Sequence, residues 1–128
     1  MILFHVTLPG PVKGGKNSIG ITRTGMRYPK KAFVEWRNRS AWYVLAAKRL
    51  LIGKTFPILV PVRATIHYYP PDRRRRDVPA LIDGLWHLLE HKDCGIVADD
   101  ALIEDVYFVT HRDAPKENAG VTVTMEAK

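Results

Sequence analysis

A single cysteine stands among 128 residues, so Cys94 has no partner within the chain and an internal disulfide is excluded. A lone thiol fits a reducing cytoplasm. No Cys-His arrangement is apparent beyond the nearby His87 and His91, so Cys94 reads as a loop or half-buried thiol rather than a nucleophile. Long apolar runs are also missing. Met1 to Pro9 is apolar, yet it is too short to span a bilayer and carries neither a basic leader nor a small-residue cleavage site. The expectation is a cytoplasmic protein without membrane contact. Acidic residues are in short supply, 13 against 20 Lys and Arg, which leaves a formal charge of +7 and a pI near 9.8. Such a balance favours an anionic partner, nucleic acid first. Repeats, linkers and composition shifts are absent too, so residues 1–128 read as one domain, and an apolar content of 46% is enough for a core.

What is present falls into recognisable elements. Ile2, Phe4, Val6 and Leu8 alternate with Leu3, His5 and Thr7, the period of a half-buried strand stopped by Pro9, Gly10 and Pro11. Residues 12–31 form a basic loop or loose hairpin turning near Thr24 and Gly25. Lys31 to about Ile52 carries Phe33, Trp36, Ala41, Val44, Leu45 and Leu51 at helical spacing, with Gly53 as the stop. Trp36, Trp42 and Tyr43 read as core or dimer contacts more readily than as base-stacking residues. Arg37, Arg39, Lys48 and Arg49 make the helix's outer face basic. Phe56 to Tyr69 is the longest strand signal, with Pro57 and Pro61 making its start irregular. A second helix follows from Asp77, with Val78, Leu81, Ile82, Leu85, Leu88 and Leu89 on one stripe and Pro79 tolerated in the first turn. Val106 to Thr110 and Val121 to Met125, separated by a polar stretch, read as a closing hairpin.

The chemistry concentrates in residues 70–100. Arg73, Arg74, Arg75 and Arg76 are consecutive, and four permanently charged guanidinium forks repel one another unless an anion such as phosphate lies opposite. Lys13, Lys16, Asn17, Arg23, Arg27, Lys30 and Lys31 lie in or beside the basic loop, which reads either as closing over a phosphate backbone or as a solvated surface loop whose charges keep the protein soluble. Asp72 and Asp77 bracket the arginines, and Asp99 and Asp100 follow downstream. Carboxylates where an anion docks make sense if a divalent cation lies between, since Mg²⁺ takes hard oxygen ligands together with substrate phosphate. The bland readings are an N-cap for Asp77 and a turn or cap for Asp99 and Asp100. His87 and His91 share a helix face that can bind Zn²⁺, but no third ligand accompanies them at the usual spacing, so a surface pair is the default.

The block PPDRRRRDVPALIDGLWHLL followed by GIVADDALIEDV resembles the RusA-type Holliday junction resolvases of phages and prophages. HVTLPGPVKGGKNS is similar, more loosely, to that family's opening strand and polar loop. The resemblance implies an α+β domain built as an intertwined homodimer, an Mg²⁺-dependent endonuclease (Mn²⁺ a possible substitute) that cuts four-way DNA junctions, encoded by a phage or prophage in a bacterial host. Asp77, Asp99 and Asp100 carry over to the family's acidic positions, with Asp100 the better match to the third ligand. Where the family usually reads Asp-x-Asp-Asn, this chain has Asp77, Val78, Pro79 and Ala80, and Asp83 falls where a lysine is common. Asp83 reads first as a solvent-facing residue or an arginine's partner, and alternatively as a relocated carboxylate ligand.

The expected architecture is a mixed sheet of four or five strands with two principal helices. The expected activity is hydrolysis of junction phosphodiesters, with Asp77 and Asp100, helped by Asp99, sharing Mg²⁺ and no small-molecule cofactor. Two other readings stay open: a RusA-like protein that binds branched DNA without cutting it, because Pro79 and Ala80 replace an acid and its neighbour, or a basic face for RNA or protein with the acids as caps.

Overall fold

Alternation decides which face of each strand is buried. The computed structural model describes residues 1–12, 19–21, 23–29, 31–51, 53–72 and 77–128. The elements run β1 (Ile2–Pro9), β2 (Ile19–Ile21), β3 (Arg27–Pro29), α1 (Lys31–Arg49), β4 (Val62–Tyr69), α2 (Val78–Glu90), β5 (Ile103–Thr110) and β6 (Gly120–Ala127), with short 3₁₀ turns at Asp100–Leu102 and Lys116–Asn118. Phe4, Val6 and Leu8 of β1, Val62, Ala64, Ile66 and Tyr68 of β4, and Val121, Val123 and Met125 of β6 are buried on one face. Phe33, Trp36 and Val44 of α1 and Leu81, Leu85, Leu88 and Leu89 of α2 join them in one core. Strand residues of the opposite parity, including His5, Thr7, Thr65, His67, Thr122 and Thr124, form the other sheet face, and none of them belongs to that core. Ile2 departs from its predicted place: a register shift between Ile2 and Phe4 leaves it exposed.

The sheet has the order β1-β6-β4-β5, giving the predicted α+β class with a four-stranded mixed sheet and two main helices. β6 is antiparallel to both β1 and β4, whereas β5 runs parallel to β4. The closing hairpin read from the sequence is therefore corrected. Parallel strands cannot be joined by a tight turn and need a crossover, here α2, and the polar stretch after β5 carries the chain past β4 into the slot beside β1. β2 and β3 make a separate antiparallel pair, as the loose-hairpin reading allowed.

Proline limits β4. The strand begins at Val62 rather than Phe56, because Pro57 and Pro61 cannot donate to a ladder; Ile58 makes only an isolated bridge to Val97. α1 ends at Arg49, three residues short of the expected Ile52. Its outer face is less basic than predicted: Lys48 donates to the Cys94 carbonyl at 3.0 Å and sits over the Phe56 ring, while half-buried Arg37 turns towards α2. Trp36 is core, as expected, but Trp42 and Tyr43 are exposed. Among the described residues no helix is long and apolar enough to cross a membrane.

Candidate metal centre

Helical spacing brings Asp83, His87 and Glu90 onto one side of α2, at i, i+4 and i+7. The chain then returns to the same place because its turn is anchored on both sides. The N–H of Ile96 donates to the Leu89 carbonyl at 3.0 Å, and Ile58 exchanges hydrogen bonds with Ile96 and Ala98. Cys94, Ile96 and Val97 are buried, so this turn is part of the core and has little freedom. Asp99 and Asp100 emerge directly from it, beside the end of α2.

The carboxylates of Glu90, Asp99 and Asp100 present oxygens that all lie within 4.8 Å of one another at the surface. Two of them are oriented by backbone amides. Glu90 Oε2 accepts from the Asp100 N–H at 3.2 Å, and Asp99 Oδ1 accepts from the Ala101 N–H at 2.9 Å, capping the 3₁₀ turn. A carboxylate has two oxygens, so each keeps another acceptor after this positioning bond. Asp83, Trp86, His87, Glu90, His91 and Asp100 line an adjoining pocket of about 210 Å³. Oxygen-only donors converging at the surface suit a hard divalent cation that retains several waters, and Mg²⁺ bonds of about 2.1 Å require only a modest closing of the three side chains.

The structure thus brings together Asp99 and Asp100 from the sequence-predicted set and adds Glu90, whereas Asp83, two turns back along α2, shares only the adjoining pocket. The expectation that Asp77 and Asp100 share an ion is corrected for the single chain. Asp77 is the N-cap of α2, its Oδ1 accepting from the Ala80 N–H at 3.3 Å, while Glu90 closes the same helix thirteen residues on. At about 1.5 Å per residue the two are about 20 Å apart along the axis, beyond the span of one ion. Topology gives the reason. Asp77 follows the end of β4 and Asp100 precedes the start of parallel β5, so the crossover separates them by its whole length.

Glu90 was the residue that sequence reading missed. Its signal in the sequence is the i, i+7 relation to Asp83 on α2. The histidine pair of this face makes local contacts, His87 exposed and His91 half-buried. Arg37 Nη1 lies 3.3 Å from His87 Nε2, and since guanidinium has no acceptor, that nitrogen must accept. His91 Nδ1 accepts from the Asp93 N–H at 3.2 Å. Burial first, and then the Arg37 charge, hold the His91 pKa below its ordinary value.

Arg73 to Arg76, Lys13, Lys16, Asn17 and Lys30 lie outside the described residues. Arg23 is exposed in the turn between β2 and β3, Arg27 opens β3, and Lys31 begins α1, where it pairs at 3.8 Å with Glu35. Two further acids just downstream, Glu104 and Asp105, are engaged by Lys128, and Asp105 also by Arg63, so they have an ion-pairing role at the sheet edge. No family model and no curated protein matches this chain.

Proposed function

We propose that this protein is an Mg²⁺-dependent, structure-selective DNA endonuclease of the RusA type, acting as a homodimer on four-way junctions in the cytoplasm of a bacterium that carries a phage or prophage. The observation that carries the reading is the convergence of Glu90, Asp99 and Asp100 within 4.8 Å on a chain whose net charge is +7. A strongly basic protein that nonetheless gathers three acids at one surface point is arranged for a cation beside a polyanion. Glu90, Asp99 and Asp100 would hold the ion, with Asp83 lining the adjoining pocket two turns back along α2. When bound, Mg²⁺ supplies Lewis-acid stabilisation of a phosphoryl oxygen and an activated water. The arginine run and the lysines of the basic loop contact backbone phosphates, which gives affinity and orientation without base readout. A twofold enzyme then presents two sites for two symmetric cuts.

Titrating the protein with Mg²⁺ and with a fluorescent four-way junction, and following strand cleavage in parallel, tests this. Glu90→Gln and Asp100→Asn should keep junction affinity, weaken Mg²⁺ binding and remove cleavage. Loss of neither Mg²⁺ binding nor cleavage in these two variants refutes the assignment.

One observation favours the non-cleaving alternative. Asp77 is engaged as a helix cap, and Pro79 and Ala80 stand where a second acid and an amide are usual in the resembled family. Under that reading the wild-type chain binds junctions with the affinity expected of the basic surface but leaves them uncut at any Mg²⁺ or Mn²⁺ concentration.

A further inference from the structure

The carboxyl end of β4 carries an aromatic arrangement that the metal centre does not use. Tyr69 lies face to face with His111, ring centroids 4.5 Å apart and planes within 9°. His111 is itself held on two sides: its backbone N–H donates to the Tyr68 carbonyl at 2.8 Å, and its Nε2 is hydrogen-bonded to His67 Nδ1 at 2.8 Å. Tyr69 is thus a backed ring rather than a swinging one. It walls a cavity of about 400 Å³ at the margin of the sheet face that lies opposite the core. Thr7 and Thr122, whose hydroxyls lie 3.3 Å apart, and Glu117 and Asn118 on the turn before β6 line the same cavity.

We propose that this cavity receives one unpaired nucleobase of a branched DNA, stacked on Tyr69; the inference rests on the DNA-binding reading above and deepens it. Three features select that occupant. A fixed aromatic plane offers stacking to any base, and only a base free of its duplex neighbours has a face to give. The Glu117 carboxylate repels a phosphate but accepts from an exocyclic amino group, so the polar rim matches the base and not the backbone. Hydroxyl and amide groups supply further donors and acceptors around a cavity within the size range of small-ligand sites. The overall charge of +7 brings the polyanion to the surface without filling the pocket.

The test uses the full chain and two junctions, one fully paired and one with a single unpaired 2-aminopurine or natural base at the branch. The wild type should bind the second more tightly and quench its 2-aminopurine. Tyr69→Leu should weaken that complex by about 5- to 150-fold, the range of one lost base stack, and restore fluorescence, whereas Tyr69→Phe retains both. Glu117→Ala, on an exposed turn that the core does not need, should erase any preference for adenine or cytosine over thymine at the unpaired position. If the wild type binds junctions but ignores the unpaired base, or if Tyr69→Leu and Glu117→Ala both bind as the wild type does, the pocket assignment falls and the nuclease reading stands. If the wild type binds no branched DNA, both fall together.

Discussion

Gly120, the first residue of β6, is paired with Pro9 where the backbone of β1 comes unusually close. A Cβ built on Gly120 would meet the Leu8 carbonyl oxygen at 2.4 Å, with the Pro9 Cα at 3.1 Å, and the residue has φ +150°. Gly120→Ala therefore combines two penalties: a backbone conformation unfavourable for an L residue, about 1–3 kcal/mol, and a clash with main chain that cannot rotate away, about 1–3 kcal/mol. The expected loss is about 2–6 kcal/mol, a large part of the roughly 5–15 kcal/mol that holds a domain folded. Gly10→Ala is the control. Gly10 has φ +85° but nothing within 4 Å of its built Cβ, so only the conformational penalty of about 1–2 kcal/mol applies. Urea denaturation followed by circular dichroism reads both as shifts in midpoint at constant slope. Equal losses in the two variants would mean that the close approach of β1 to β6 contributes nothing, and the reasoning from contact geometry would be wrong.

Three other expectations follow from local chemistry. The depressed pKa of His91 means that the unfolded chain takes up this proton first, so stability should be complete above the unfolded value of 6.5 and decline as pH falls through it; urea midpoints from about pH 7.5 to about pH 5.5 should fall less in His91→Gln than in the wild type. Cys94 is 1% exposed and burial raises its thiol pKa, so a thiol reagent should label it only in step with unfolding, and rapid labelling of the native protein would contradict the packed turn. Asp77→Ala should cost about 1 kcal/mol through the lost cap, whereas Asp77→Asn should cost only a few tenths; neither should move Mg²⁺ affinity, and a loss of affinity in Asp77→Asn would return Asp77 to the metal centre.

The elements were legible because their determinants are local. Asp77, Pro79 and the stripe from Val78 to Leu89 predict the start and buried side of α2, and alternation predicts the buried faces of β1, β4 and β6. The order of strands was not legible. A polar stretch between two alternating segments is equally compatible with a hairpin and with a longer passage over a third strand, and only pairing energies across the whole sheet choose between them. That choice decides the candidate site. A parallel crossover sends Asp77 and Asp100 to opposite ends of α2, whereas a motif reading that ignores direction sets them side by side. Glu90 was hidden for the complementary reason: its partners come from a turn ten residues later, whose return depends on Ile58 pairing with Ile96 and Ala98. Lys48 shows the same limit in small form, since a basic residue on a helix looks solvent-facing until the carbonyl it reaches is known.

Because β6 sits between β1 and β4, β1 has no strand partner and β4 has only β5 until the ribosome has made β6. Pro9 waits for Gly120, an interval of roughly 110 residues that takes about 5–20 s at ordinary translation rates. During that time the nascent polypeptide carries two incomplete strands with unmatched amides, so sheet closure is a late event and the protein's yield in the cell should depend on how well those open edges are shielded until then.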